Sequence, residues 1–222
     1  MDYFAYNPDE LPGIDRMVAD AKEMTRRLLA LRDAPVADPF TGPAILSGPA
    51  SGVFFHEIFG HRIEGQRMKS ESDGQTFKKM VGERVLPVDF QVYCDPTLTR
   101  YAGTDLNGHY LYDDEGVRAR RVNNVENGVL KEFLMSRVPL DGFPVSNGHG
   151  RTSGGGDPVS RQSNLVIETA HPYTESELRQ MLIEEAKKQG KEYGYYFNAV
   201  TSGFTYTGEG GSLNSFNVTP LE

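Results

Sequence analysis

His56-Glu57-Ile58-Phe59-Gly60-His61 governs the reading of this chain, because two imidazoles and a carboxylate fall within six residues. The flanking residues Val53, Phe54, Phe55, Ile58 and Phe59 are apolar, and the stretch predicts a helix capped at Ser51 and stopped at Gly65. Neutral imidazole is the commonest side-chain ligand for zinc, and a neighbouring carboxylate can take a proton from water held at such a site. The spacing is H-E-x-x-x-H, one residue longer than the familiar H-E-x-x-H of zinc hydrolases. On a straight α-helix, partners four apart lie about 40° from each other and partners five apart about 140°. A metal reading therefore requires the helix to widen or break, most easily beside Gly60. The same residues have a plain structural reading. Glu57 and His61 would form an i,i+4 ion pair, and His56 would be a core histidine among its apolar neighbours.

Outward from this stretch, the pattern is two further helices embedded in β structure. Upstream, Ile14, Met17, Val18, Ala21, Met24, Leu28 and Leu31 recur at helical spacing between Pro12-Gly13 and Pro35. They predict an amphipathic helix in an N-terminal segment, residues 1–35, packing on a main domain of residues 36–222. Residues 33–50 hold four prolines and read as a linker with a short strand at 44–46. Residues 66–82 are polar and charged, which fits a solvated loop or, in a peptidase, a flap over the site.

Downstream, Val88, Phe90 and Val92 alternate with Asp89 and Gln91 in a strand reaching Cys94. Asn127-Gly128 marks a hairpin between strands at 117–122 and 129–135. Asp113-Asp114-Glu115 lacks the alternating ligands of a calcium loop and reads as a turn. Thr174 with Glu177 forms a capping box for a helix that buries Leu178, Met181, Leu182 and Ala186 and ends at Gly190. Strands follow at 193–197, 200–206 and 213–218. The fold expected is α+β: mostly antiparallel sheets, an N-terminal helix, a metal-site helix and one later packing helix.

Composition narrows the function classes. A hydrophobic content of 38% with 10% aromatics argues for a packed core in this 222-residue chain. No apolar run approaches the roughly 18 residues of a membrane span, and residues 1–30 lack the apolar core of a signal peptide. One cysteine excludes an internal disulfide framework and suits a cytoplasmic location. A net charge of -8 and a pI near 5.2 disfavour direct nucleic-acid binding. The one basic cluster, Arg118 to Arg121, reads as strand decoration.

The glycine-rich segment 147–156 has no Lys-Ser/Thr and opens no helix, so it is not a phosphate loop. His149 within it is a weak candidate for a further metal ligand and is expected as an exposed loop histidine. His109 and His171 read as surface or packing residues.

The run from Ser51 to Gly65 resembles the metal-binding helix of the TldD/PmbA family of metallopeptidases, also described as modulators of DNA gyrase. The likeness continues through Asp113-Asp-Glu-Gly116, Val125-Glu-Asn-Gly-Val-Leu-Lys131, Ser146-Asn-Gly-His-Gly-Arg151, Arg161-Gln-Ser-Asn164 and Thr201-Ser-Gly203. It covers about residues 36–220 and is closest to the TldD half. The resemblance implies that His56 and His61 ligate zinc and that Glu57 is the catalytic base. It implies a substrate of unfolded or extended peptide, with Arg151 and Arg161 as contacts to a peptide carbonyl or carboxylate. It also implies a homodimer, or a heterodimer with a TldE/PmbA-like subunit.

The sequence departs from the family in its third ligand. TldD-like sites are completed by a distant cysteine, whereas Cys94 lies in a strand and does not match that position. The chain is therefore expected to be part of a longer protein, lacking the family's N-terminal domain and C-terminal end. By itself it is expected to bind metal weakly and to be inactive. The alternative is a metal-free, TldE/PmbA-like scaffold or regulatory binding protein.

Overall fold

A computed structural model describes residues 3, 5–72, 76–152, 155–205 and 216–220. The chain opens with α1 (Ile14–Asp33), which starts at Gly13 and carries surface ion pairs such as Arg16–Asp20 at 2.8 Å. Its apolar stripe does not pack as expected. No α1 residue is buried, and Ile14 and Leu28 are 77% and 55% exposed. Helical periodicity specifies a face but not what covers it.

β1 (Ala44–Leu46) leads into α2 (Gly48–Ile58). The cap of α2 is Ser47, whose Oγ accepts from Ala50 N at 3.3 Å, four residues ahead of the predicted Ser51. Gly48 and Pro49 fill the first turn, where proline's missing N–H leaves no bond unmade. The helix also ends early. Phe59 turns at φ -116°, ψ -53°, and two 3-10 turns follow, Gly60–Ile63 and Gly65–Lys69. Gly65 is thus inside the continuing chain rather than a stop.

β2 (Phe90–Cys94), the short pair β3 (Arg100–Tyr101) and β4 (Thr104–Asp105), then β5 (Val122–Glu126) and β6 (Val129–Leu130) come next. β5 starts later than the predicted 117–122 because Asp113 holds a turn there. Its Oδ1 accepts from Glu115 N and Val117 N, and its Oδ2 accepts from Gly150 N. Those bonds use the carboxylate fully, as the turn reading requires. The basic cluster therefore precedes the strand instead of decorating it: Arg121 lies 3.4 Å above the Tyr93 ring and Arg120 pairs with Glu132 at 2.7 Å. The β5–β6 hairpin turns at Asn127 (φ 51°) and Gly128 (φ 78°), the two positive angles a tight primed turn demands.

β7 (Gly150–Arg151) pairs with β8 (Val159–Ser160), and β9 (Leu165–Thr169) completes an antiparallel four-stranded sheet in the order β6-β5-β2-β9. Register runs from Phe90↔Thr169 to Cys94↔Leu165 on one side of β2 and through Val92↔Val125 on the other. After β6 the chain leaves the sheet, and residues 133–135 enter the core. There Phe133, Leu134 and Met135 pack with Phe59, Ile63, Val92, Val122, Val125 and Leu130. Met68 and Phe77 join the same core, so the described residues on either side of 73–75 are anchored there rather than simply solvated.

α3 (Glu175–Lys188) forms the predicted capping box: Thr174 Oγ1 accepts from Glu177 N at 3.2 Å, and Thr174 N donates to Glu177 Oε2 at 2.7 Å. Gly190 at φ 66° closes it. Ala186 is buried, but Met181 is 44% exposed, a narrower buried face than expected. Thr174→Ala is expected to cost about 1 kcal/mol. That loss reads as a fall of about 2–4 °C in thermal midpoint for a domain of this size.

β10 (Tyr195–Phe197) pairs parallel with β1, the exception in a mostly antiparallel α+β fold. β11 (Val200–Thr205) and β12 (Phe216–Pro220) pair antiparallel, and α2 lies against them. The predicted strand ends at Tyr206 and Leu213 fall outside the described residues.

Candidate metal centre

The helix break resolves the spacing problem. His56 and Glu57 sit in the last turn of α2, and His61 sits in the 3-10 turn that follows. The break falls at Phe59 and Gly60, beside the glycine as expected, and Gly60 has a further role. Its φ is not positive, and a Cβ there would stand 2.0 Å from Gln162 Oε1. The glycine leaves room for the Gln162 amide, which reaches His56 O at 3.5 Å. The Arg62 guanidinium donates to Ile58 O and so satisfies a carbonyl that the broken helix leaves open.

The two rings converge. Their centroids are 4.7 Å apart with planes at 72°. One donor atom from each of His56, Glu57 and His61 lies within 4.8 Å of the others. Two ligands at about 2 Å from one ion span up to about 4 Å, so the cluster is on the scale of a single coordination shell. The Nε2 atoms of His56 and His61 lie 3.9 and 3.7 Å from the Glu57 carboxylate. Both distances exceed hydrogen-bond range, so neither Nε2 is committed to Glu57. Burial, then the neighbouring charge of His61, lowers the His56 pKa and favours its neutral, metal-competent form. The Glu57 side chain is 12% exposed and that of His56 50%, an arrangement open on one side.

Behind His61 lies a residue that the motif reading passed over. Glu64 Oε2 is 3.1 Å from His61 Nδ1 and accepts from Arg67 Nε at 2.6 Å and Arg161 Nη1 at 3.3 Å. The carboxylate is 1% exposed. Burial pushes its pKa up, but the bonds and charges of His61 and Arg67 outweigh that and hold it below the ordinary range. Oε1 is buried without a hydrogen-bond partner, a cost of about 1–3 kcal/mol. Packing alone would not favour such a group. Its sequence signal was the i+3 spacing from His61, together with the rule that a metal-binding histidine usually gives its second nitrogen to a carboxylate.

Arg161 thus stands at the edge of the site, beside a polar recess lined by Glu64, Gln66, Arg67, Ser70, Ser160 and itself. Arg151 lies elsewhere, 4.1 Å over the Tyr110 ring and 3.3 Å from Asp114. Cys94 is fully buried in β2, its thiol pushed up to about 12 by burial, and is outside the donor cluster. His149 is not an exposed loop residue. It is wholly buried, bonds Ser163 Oγ at 3.1 Å, and burial lowers its pKa to about 4. The glycine at 148 explains this inward path: at φ 79° it approaches Arg118 O so closely that a Cβ would be 2.6 Å away. His109 Nδ1 donates to Pro96 O, 2.9 Å away, and His171 is 81% exposed beside Asp89. The apolar groove between β1 and α3, lined by Ile45, Leu178 and Leu182, brings no such donor set together.

Two imidazoles and a carboxylate meet at a broken helix end on an α+β scaffold, with a second carboxylate behind one ring, and this donor set is of the kind that can hold a metal ion. The donors fit a divalent ion such as zinc.

Comparison with known proteins agrees. The family described as PmbA/TldA metallopeptidase C-terminal domain matches residues 40–212. The chain belongs to this PmbA/TldD family. A metalloprotease of Archaeoglobus fulgidus is 31% identical over 72% of this chain and 35% of its own length. A metalloprotease of Methanocaldococcus jannaschii is 30% identical over 87% of this chain and 39% of its own. The crystal structure of TldE from Thermococcus kodakarensis superposes with a TM-score of 0.56 over 82% of this chain and 38% of that one. At 18% identity it speaks for the fold alone. The chain spans between a third and two fifths of the length of these curated relatives.

Proposed function

We propose that this chain carries the metal-site segment of a zinc-dependent peptidase acting on unfolded or extended peptides. The observation that carries the reading is the convergence of His56, Glu57 and His61 across a helix break that their spacing makes necessary. Membership of a metallopeptidase family supports it. His56 and His61 would hold a zinc ion, whose chemistry there would be to polarise the scissile carbonyl and make the attacking water more acidic. Glu57 accepts the proton of that water and delivers it to the leaving amine. Arg161 and, further off, Arg151 are assigned to the peptide's carbonyls or terminal carboxylate. β9 ends the four-stranded sheet and offers an edge on which an extended peptide can add as a strand.

Two imidazoles leave the site one protein ligand short of the usual catalytic set, and Cys94 does not supply it. The 222-residue chain alone is therefore expected to hold zinc weakly and to lack activity. The active assembly is a homodimer or a pair with a TldE/PmbA-like subunit, located in the cytoplasm.

Metal analysis of the complete protein, wild type beside His61→Ala, tests the reading. Zinc at one equivalent in the wild type and its loss in the variant is the expected result. Equal, negligible zinc in both would favour a non-catalytic scaffold.

A further inference from the structure

We infer that Glu64 is a positioning residue that sets the tautomer and orientation of His61, with Arg67 and Arg161 fixing Glu64 in turn. The inference rests on the metal-site reading above and deepens it. An ionised carboxylate only accepts hydrogen bonds, so its 3.1 Å contact with His61 Nδ1 is made when that nitrogen carries the hydrogen. In the neutral ring the lone pair then sits on Nε2, the nitrogen that faces Glu57 and His56. The opposite tautomer would set a lone pair against the carboxylate and turn an N–H toward the metal position. Glu64 thereby decides which ring nitrogen can ligate.

Glu64 can act in this way because it cannot move. It is 1% exposed, and its backbone is clamped against the core segment 133–135: Leu134 N donates to Ile63 O at 2.8 Å and Gly65 N to Leu134 O at 2.9 Å. A Cβ on Gly65 would meet Met135 Sδ at 2.4 Å and Leu134 O at 2.9 Å, so the chain passes here with no spare room. Arg67 reaches the carboxylate from the second 3-10 turn. Arg161 reaches it from the segment between β8 and β9. The bond from Arg161 spans 97 residues of sequence and ties the glycine-rich region's return strand to the metal ligand. A carboxylate that holds the far nitrogen of a metal-binding imidazole typically carries 10–100-fold of metal affinity.

The decisive measurement needs no variant of Glu64. In complete, metal-free protein labelled with 15N-histidine, two-bond proton–nitrogen spectra above pH 8 report the tautomer of each neutral ring, and His61→Gln identifies the His61 signals. Protonation at Nδ1 is expected, and an Nε2-protonated His61 overturns the inference. Zinc titration of wild type, His61→Ala and Glu64→Gln then separates the two claims. Loss of binding in His61→Ala with a 10–100-fold weakening in Glu64→Gln supports both. Wild-type affinity in Glu64→Gln removes the positioning role and leaves the metal site standing. No binding in the wild type removes the metal site, and the tautomer alone then decides whether Glu64 orients the ring.

Discussion

On the proposed function, Glu57→Gln in the complete protein is expected to lower the rate of peptide cleavage by about 10²–10⁴-fold, the usual worth of a positioned general base. It leaves bound zinc at the wild-type stoichiometry. Glutamine matches glutamate in shape, and the Nε2 atoms of His56 and His61 already lie beyond hydrogen-bond range of the carboxylate, at 3.9 and 3.7 Å. The substitution therefore removes a proton acceptor while disturbing little of the ligand geometry. Single-turnover cleavage of an extended peptide, run beside metal analysis of the same sample, separates this loss from a loss of zinc. A variant that keeps both its metal and its rate would remove Glu57 from the mechanism. A variant that loses its metal would instead make Glu57 a ligand, which is a different chemistry on the same three residues.

The second large effect is on stability. Phe133→Ala is expected to cost about 3–5 kcal/mol, the range for emptying a buried phenylalanine site. Phe133 is 1% exposed and meets Phe143 edge-on at 5.3 Å, with the backbone around it already bonded to its neighbours. Its carbonyl accepts from Asn147 Nδ2 at 2.8 Å, so the surroundings cannot collapse freely into the space. Against a typical domain stability of about 5–15 kcal/mol, this is a large fraction. A denaturant midpoint that falls with an unchanged slope is the expected signature. A shift smaller than about 1 kcal/mol would mean that residues 133–135 do not form the core described here. The same loss would loosen the clamp on Glu64, since Leu134 is the residue that holds Ile63 and Gly65.

Local signals in the sequence were accurate where the physics is local. The capping box at Thr174 and the positive-φ turn at Asn127-Gly128 involve residues close together in the chain, and both stand where they were read. The alternation through Phe90 to Cys94 likewise marks the strand at the middle of the sheet. The reading failed where a nearby competitor took over. Ser47 outcompetes Ser51 as a cap because Gly48-Pro49 suits a first helical turn. The Asp113 turn delays β5 to Val122, since its carboxylate binds the backbone that a strand would have used. α1 shows a further limit: a helical stripe was legible, yet no residue of it is buried.

At the site, the amino-acid order by itself determined the donors and the constraint upon them. Two histidines five apart cannot meet on an unbroken helix, so a metal reading of the motif requires a break. Only tertiary structure decided where the break fell and what stands behind it. The helix ends at Ile58 and a 3-10 turn starts at Gly60, and Glu64 is brought against His61 by a clamp to Leu134 and by an arginine 97 residues away. Helix geometry depends on neighbours along the chain and can be read from their spacing. The identity of a buried carboxylate's partners depends on which distant segments share the core, and no local pattern encodes that.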